Sequence, residues 1–358
     1  MSKKIEELDE NFEVDQVDKD VRWFDARELE IKGRAFPGSA SYYHRLPKHL
    51  EPIVREQVWE LQQHSAGLQL YFSTDSNEIS LRWEFMYDTA NIAMPHMSAT
   101  GKSGFDLYMK KDAKWSWCAS SKPTQSSETV SLVKNIPPGN HDLILYFPLY
   151  NGVKELQLGI QKGAYLSQSN SHLNKAVCFY GTSIVQGGCA SRPGLAYPAI
   201  ISRRLQIDHF NLGFSGNAHW DLEIAEEIAK LDVGLFVLDA MPNNNATRTL
   251  ERCPDFVRIL RQKHPKTPIL FIENIRYQDA DLKTDVAASV QAKNQALKQC
   301  HDMLLQEGLE GLFYLNGRHL LGNDNEATVD GTHPNDLGFM RMADYIQPII
   351  EDILSNGN

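Results

Sequence analysis

Residues 175–188 read KAVCFYGTSIVQGG. Ala176–Tyr180 is a short apolar run that stops at Gly181-Thr182-Ser183. A run of this length ending in glycine predicts a buried strand entering a tight turn. A serine in that turn, at the carboxyl end of a strand, presents its hydroxyl where open α/β sheets bind their ligands. Serine also caps helices, so the tripeptide alone leaves both roles open for Ser183. The rest of the chain decides between them.

Downstream, strand and helix signals alternate. Helical spacing is found at Ala196–Leu205, Asp221–Leu231, Leu250–His264, Val286–Glu307 and Leu337–Leu354, with Pro198 in a first turn, where its missing N–H is harmless. Between them, His209–Leu212, Val233–Leu238, Ile269–Ile275 and Leu312–Leu315 read as short strands. This order predicts a parallel sheet with helices on both faces over 175–358. Upstream the rhythm is different. Ile79, Leu81, Trp83, Phe85 and Tyr87 alternate with Ser80, Arg82, Glu84 and Met86, a strand with one face on a core. Leu68–Phe72, Phe105–Met109, Val130–Val133 and Leu143–Phe147 are further short runs divided by turn formers, and a polar helix is expected near Leu50–Gln63. The pattern predicts an antiparallel β-sandwich over 21–165, an acidic tail over 1–20 and a Ser/Asn-rich linker over 166–174.

With 358 residues and 42% hydrophobic content there is material for two cores. A net charge of -10 argues against a nucleic-acid surface. No apolar run approaches the ~20 residues of a membrane span. The first residues hold no apolar leader segment, and five scattered cysteines without a Cys-x-x-Cys pair fit reduced thiols, so a cytoplasmic location is expected. Neither a P-loop, a Gly-x-Gly-x-x-Gly nor a His-Glu-x-x-His is present, so motif spacing implies no cofactor and no metal.

Three further blocks follow Ser183: Asn211-Leu212-Gly213-Phe214-Ser215-Gly216-Asn217, Asp239-Ala240-Met241-Pro242-Asn243-Asn244-Asn245 and Asp330-Gly331-Thr332-His333-Pro334. The ordered set resembles the SGNH (GDSL-type) hydrolases, flavodoxin-like serine esterases, over roughly Lys175–Leu354. Gly104-Phe105-Asp106-Leu107-Tyr108 is similar to the Gly-x-Asp-Leu-Tyr signature of a β-rich region that precedes the catalytic domain in one branch of that family. Two positions depart from the pattern. Thr182 stands where the family usually has Asp, and Met241-Pro242-Asn243-Asn244 replaces a common Gly-x-Asn-Asp.

The resemblance implies a flavodoxin-like catalytic domain behind a jelly-roll-like sandwich, with Ser183, His333 and Asp330 as the triad. The chemistry agrees. A serine hydroxyl needs a neighbouring base, and an unperturbed imidazole titrates near ~6.5, so a histidine is mostly neutral at pH 7. Asp330 is placed to fix the tautomer, and Pro334 suits the first position of a helix. The family pattern puts the oxyanion donors at the backbone N–H groups of Ser183 and Gly216 and the side chain of Asn243, with Asn244 as a rival. Cys189 is a weaker rival nucleophile. His219 and Trp220 are candidates to line the acyl pocket, and Trp115 and Trp117 to stack on a sugar. The expected function is hydrolysis of short, acetyl-type esters on a small molecule or carbohydrate through an acyl-enzyme. The alternatives are a lipid, thioester or aryl esterase, and a non-catalytic carbohydrate-binding protein.

Overall fold

The structure, a computed structural model, describes residues 20–89, 93–169 and 176–356. All of the expected tail over 1–20 except Asp20, and most of the expected linker over 166–174, lie outside them.

The N-terminal half contains β1 (Val21–Asp25), β2 (Ile31–Lys32), α1 (Glu56–Leu61), β3 (Gln69–Thr74), β4 (Ile79–Phe85), α2 (Ala99–Lys102), β5 (Asp106–Lys111), β6 (Lys114–Ser120), β7 (Ser127–Val133), β8 (His141–Tyr146), β9 (Val153–Gln161) and β10 (Leu166–Gln168). One antiparallel sheet has the order β1-β9-β4-β7; the other runs β10-β3-β8-β5-β6, with β2 also on β3. Leu81, Trp83, Phe85, Phe105, Leu145 and Phe147 are among the residues that fill the space between them. Alternate residues of each strand point into that core, as the pleat requires.

The expected strands are present, and the sheets hold more. β6 and β9 were not separated out from the sequence. β9 drifts out of phase because its pairing with β4 shifts register at Glu84/Phe85, which spoils the two-residue period. β6 ends its sheet, and an edge strand with partly exposed residues gives a weak alternation signal. The first residues of the expected linker form β10, paired antiparallel with β3, so the sandwich continues past 165.

The C-terminal half contains β11 (Ala176–Gly181), α3 (Ser183–Gln186), α4 (Tyr197–Leu205), β12 (His209–Gly213), α5 (Leu222–Ile228), β13 (Val233–Asp239), α6 (Ala246–Lys263), β14 (Ile269–Ile272), α7 (Thr284–Gln306), β15 (Leu312–Leu315) and α8 (Asp336–Asn356). Its strands are parallel in the order β12-β11-β13-β14-β15. That is the flavodoxin-like winding, whose switch point lies at the carboxyl ends of β11 and β13. β11 is buried on both faces. Cys178 and Tyr180 pack towards α5 and α6, whereas Val177 and Phe179 pack towards α4 and α8.

Both of these cores extend into the N-terminal half. Phe36, Leu46, Leu50, Val54 and Val58 join the first, and Ala66, Met97, Leu149 and Tyr150 the second. Polar contacts lock the same boundary. Asp106 is fully buried and accepts hydrogen bonds from Arg192 Nη1 (3.0 Å), the Gly194 N–H (2.9 Å), Ser120 Oγ (2.9 Å) and Trp117 Nε1 (2.9 Å). Arg192 also donates to the Tyr108 hydroxyl at 2.6 Å. The Gly-x-Asp-Leu-Tyr stretch is therefore a domain clamp. Asp106 and Tyr108 face the α/β half, and Leu107 between them faces the sandwich core. Gly104 fits because a Cβ there would sit 2.2 Å from the Thr100 carbonyl oxygen.

Asp106→Ala removes one partner of this buried pair. It should cost about 3 kcal/mol, seen as a lower midpoint in urea denaturation of the whole chain. An unchanged midpoint would show that the clamp is not stabilising.

Candidate active site

β11 ends at Gly181, and the chain turns into α3 with Thr182 as its N-cap; the Thr182 hydroxyl accepts the Ile184 N–H at 3.2 Å. Ser183 therefore starts a helix directly above the sheet edge, and it is largely buried. Its Oγ lies 2.9 Å from Nε2 of His333. On the other side of the ring, Nδ1 lies 2.8 Å from Oδ2 of Asp330. A carboxylate only accepts, so Nδ1 carries the proton and donates to Asp330, leaving Nε2 to accept from the Ser183 hydroxyl.

The loop that carries this row is held at several points. Asp330 Oδ1 accepts the N–H groups of His333 (2.8 Å) and Thr332 (3.0 Å). Burial pushes the Asp330 carboxyl up, but these N–H groups and the imidazole outweigh it and hold its pKa below the usual value. Thr328 and Pro334 form an isolated antiparallel bridge. Pro334 therefore belongs to the loop, and α8 begins two residues later at Asp336 rather than at the proline. Asp336 in turn accepts from the Ser191 N–H (2.8 Å) and Ser191 Oγ (2.5 Å), which ties the histidine loop to the segment after α3.

The second block sits at the end of β12. Gly216 has φ +70, a left-handed conformation suited to glycine, and no atom lies within 4 Å of where a Cβ would be. Arg55, from the start of α1, holds this loop with four bonds. It donates to Asn217 Oδ1 and the Asn217 carbonyl (both 2.7 Å) and to both Asp221 oxygens (3.1 and 3.0 Å). Tyr150, another residue of the N-terminal half, donates towards Ser215 Oγ at 3.3 Å.

The row opens into a cleft of about 470 Å³ lined by Gln57, Glu60, Leu61, Met94, His96 and Tyr150 from one half and Ser215, Asn217 and His333 from the other. The sandwich side thus builds most of the wall over the histidine.

The family model of GDSL-like lipases and acylhydrolases matches residues 174–351, and the model of the N-terminus of SGNH-hydrolase-type esterases matches 21–166. A structure described as a GDSL-like lipase, from Bacteroides ovatus, is 35% identical with a TM-score of 0.89, covering 94% of this chain and 98% of that one. The chain belongs to the GDSL-like acylhydrolase family. As such it is a carboxylic ester hydrolase of the SGNH type. Two more distant structures share the fold. The salicylyl-acyltransferase SsfX3 of a tetracycline biosynthetic pathway is 19% identical (TM-score 0.76; 94% and 98% coverage), and a family two carbohydrate esterase of Cellvibrio japonicus is 13% identical (0.61; 94% and 98%). No curated protein sequence matches the chain.

The two departures from the SGNH pattern have structural explanations. Thr182 keeps a side-chain cap on α3 where the family carries Asp. In the third block the two asparagines do different things. Asn244 is buried, and its amide donates to the carbonyls of Ala218 and Ala240, both at 2.7 Å. Both of its hydrogens are thereby used. Asn243 is half-buried and accepts the Ala218 N–H through Oδ1 at 3.4 Å. Among the described residues none takes a hydrogen bond from its Nδ2, so of the two, Asn243 has the donor to offer.

Other residues singled out in the sequence fall elsewhere. Trp220 is not a pocket residue. It is fully buried, with φ +55, and packs against Tyr180 and Phe256. Its place beside the loop suggested a ligand contact, but the backbone turns the ring into the core. From this loop the cleft takes Ser215 and Asn217 rather than the half-buried His219. Trp117 is 53% exposed and stacks on Arg192, with its indole N–H on Asp106; Trp115 lies edge-on to Tyr71. Cys189 is buried, and burial followed by the charge of Asp330 pushes its thiol up to about 12, which disfavours a nucleophilic thiolate. Among the described residues no helix is long and apolar enough to cross a membrane.

Asn244→Ala leaves two buried carbonyls without their partner. The expected loss is about 2 kcal/mol of stability, measured by chemical denaturation. Full stability in that variant would remove the structural role of Asn244.

Proposed function

We propose that this SGNH hydrolase removes short acyl groups, acetyl above all, from carbohydrate esters, using Ser183, His333 and Asp330 as the catalytic triad. The observation that carries this reading is the unbroken row from Ser183 Oγ through His333 to Asp330, at 2.9 and 2.8 Å, opening into a cleft. Ser183 Oγ attacks the ester carbonyl while His333 Nε2 takes its proton. Asp330 keeps the ring in the tautomer this needs and stabilises the imidazolium that forms. The negative charge on the carbonyl oxygen falls between the N–H groups of Ser183 and Gly216 and the amide of Asn243. Collapse of this intermediate expels the alcohol, which takes the proton back from His333. Water then attacks the acyl-Ser183 ester by the same route in reverse.

The substrate reading rests on the cleft wall and on the fold relatives. Gln57, Glu60, Ser215 and Asn217 offer hydrogen-bonding groups suited to sugar hydroxyls, and Leu61, Met94 and Tyr150 offer apolar surface to a short acyl group. Several structures of the same fold are described as carbohydrate esterases, among them that of Cellvibrio japonicus and an acetyl xylan esterase from Butyrivibrio proteoclasticus.

Purified protein should hydrolyse p-nitrophenyl acetate, with rates falling along a series of longer acyl chains. Ser183→Ala should abolish the reaction and block labelling by a serine-directed phosphonate. Equal rates in the two proteins would refute the nucleophile, and a rate that rises with acyl length would refute the short-acyl preference. Asn243→Ala should lower kcat by about 10²–10³, the usual effect of losing one oxyanion donor, with the fold intact by circular dichroism. A kcat within a few-fold of the parent would take Asn243 out of the oxyanion site.

A further inference from the structure

Two residues that the proposed reaction does not use, His96 and Cys189, cluster with its base, His333, at the cleft. A ring nitrogen of His96, the Sγ of Cys189 and a ring nitrogen of His333 all lie within 4.8 Å of one another. They come from three separate segments: the loop before α2, the turn after α3 and the loop before α8. The two imidazoles lie side by side, tilted by 45°, with centroids 5.8 Å apart. Cys189 has φ +74, an uncommon conformation for a residue with a Cβ. Its neighbours thus hold a sulfur beside the catalytic base in a backbone conformation that costs energy.

Two imidazoles and a thiol are the donor set of a soft divalent cation, and zinc takes such ligands in tetrahedral sites with water in an open position. Tetrahedral zinc bonds of about 2.0–2.3 Å place ligand atoms roughly 3.5 Å apart. The three donors would therefore have to draw in by about 1 Å, within reach of side-chain rotation. His333 already has the outer partner such a site needs. Its Nδ1–H is committed to Asp330, which leaves Nε2 to the metal and fixes the ring direction.

We propose that His96, Cys189 and His333 form a binding site for zinc or a similarly thiophilic divalent cation, and that its occupation switches the esterase off by taking His333 Nε2 away from Ser183. On binding, the cation replaces the thiol proton, which leaves to the buffer; the Ser183 proton stays on its oxygen, and no electron is transferred. The binding half is independent of the proposed reaction, whereas the inhibition half rests on it.

Cobalt(II) reports the first half without any catalysis. Metal-stripped Ser183→Ala protein titrated with Co²⁺ should develop a thiolate-to-cobalt charge-transfer band and the strong visible bands of a tetrahedral ion, saturating at one equivalent and bleached by Zn²⁺. The charge-transfer band should vanish in Cys189→Ala, and in Cys189→Gly, which accepts the positive φ without strain. The visible bands should weaken in His96→Ala. No band in the parent, or a band that survives in both Cys189 variants, overturns the site. For the second half, Zn²⁺ should inhibit p-nitrophenyl acetate hydrolysis by the native chain, with recovery on adding EDTA. In Cys189→Ala, half-inhibition measured against its own zinc-free rate should need at least 10-fold more zinc. Bands without inhibition in an active enzyme overturn the switch alone, and bands in a chain with no esterase activity refute the function and leave the metal site standing.

Discussion

A guanidinium buried between the two halves of the chain underlies the geometry of the catalytic cleft. Arg45 donates to the carbonyls of Asn211 (3.1 Å) and Gly213 (2.7 Å) at the end of β12, and to those of Leu61 (2.6 Å) and His64 (2.9 Å) on its own side. Burial pulls its pKa down to about 9, the direction expected for a cation held by carbonyl dipoles rather than by a carboxylate. A charge so desolvated persists only where it is well paired, and four carbonyls pair it here. The requirement fixes where β12 ends relative to α1, and thereby where Ser215, Gly216 and Asn217 stand relative to Ser183.

Arg55 and Asp106 extend the same constraint in opposite directions. Arg55 binds the loop that carries Gly216, and Asp106 binds the segment that follows Ser183 through Arg192 and Gly194. Each of the two loops nearest Ser183 is therefore gripped from the sandwich side. The histidine loop joins them through Asp336 and Ser191. Preorganisation of this kind is what electrostatic catalysis needs, because donors already in place do not have to be reoriented as charge develops.

How far the sequence speaks depends on whether a role is written locally. The parallel sheet is legible because β11 and β13 are continuous apolar runs closed by turn residues. Ser183, Asp330 and His333 are legible as candidates because each sits in a short block at a strand-to-helix turn, and the fold brings the three into one hydrogen-bonded row. The choice between Asn243 and Asn244 is not local; it is made by which amide meets the carbonyls of Ala218 and Ala240. Tyr150, His96, Arg45 and Arg55 carry no motif, since their importance arises only when two domains close on each other. Trp220 misleads for a related reason. An aromatic residue beside an active loop has the same letter whether it faces ligand or core, and here a left-handed backbone sends it to the core. The Gly-x-Asp-Leu-Tyr signature marks the sandwich in sequence, but its work as a clamp is apparent only from the partners of Asp106.

Because the proposed nucleophile and its base stand on one domain and much of the wall facing them on the other, reactivity and selectivity are encoded in different parts of the gene. Drift in the segments around Gln57, Met94 and Tyr150 can alter which molecules are admitted while the reacting atoms keep their positions. Such an arrangement lets the range of accepted esters change without rebuilding the chemistry, provided that Arg45, Arg55 and Asp106 keep the two parts in register.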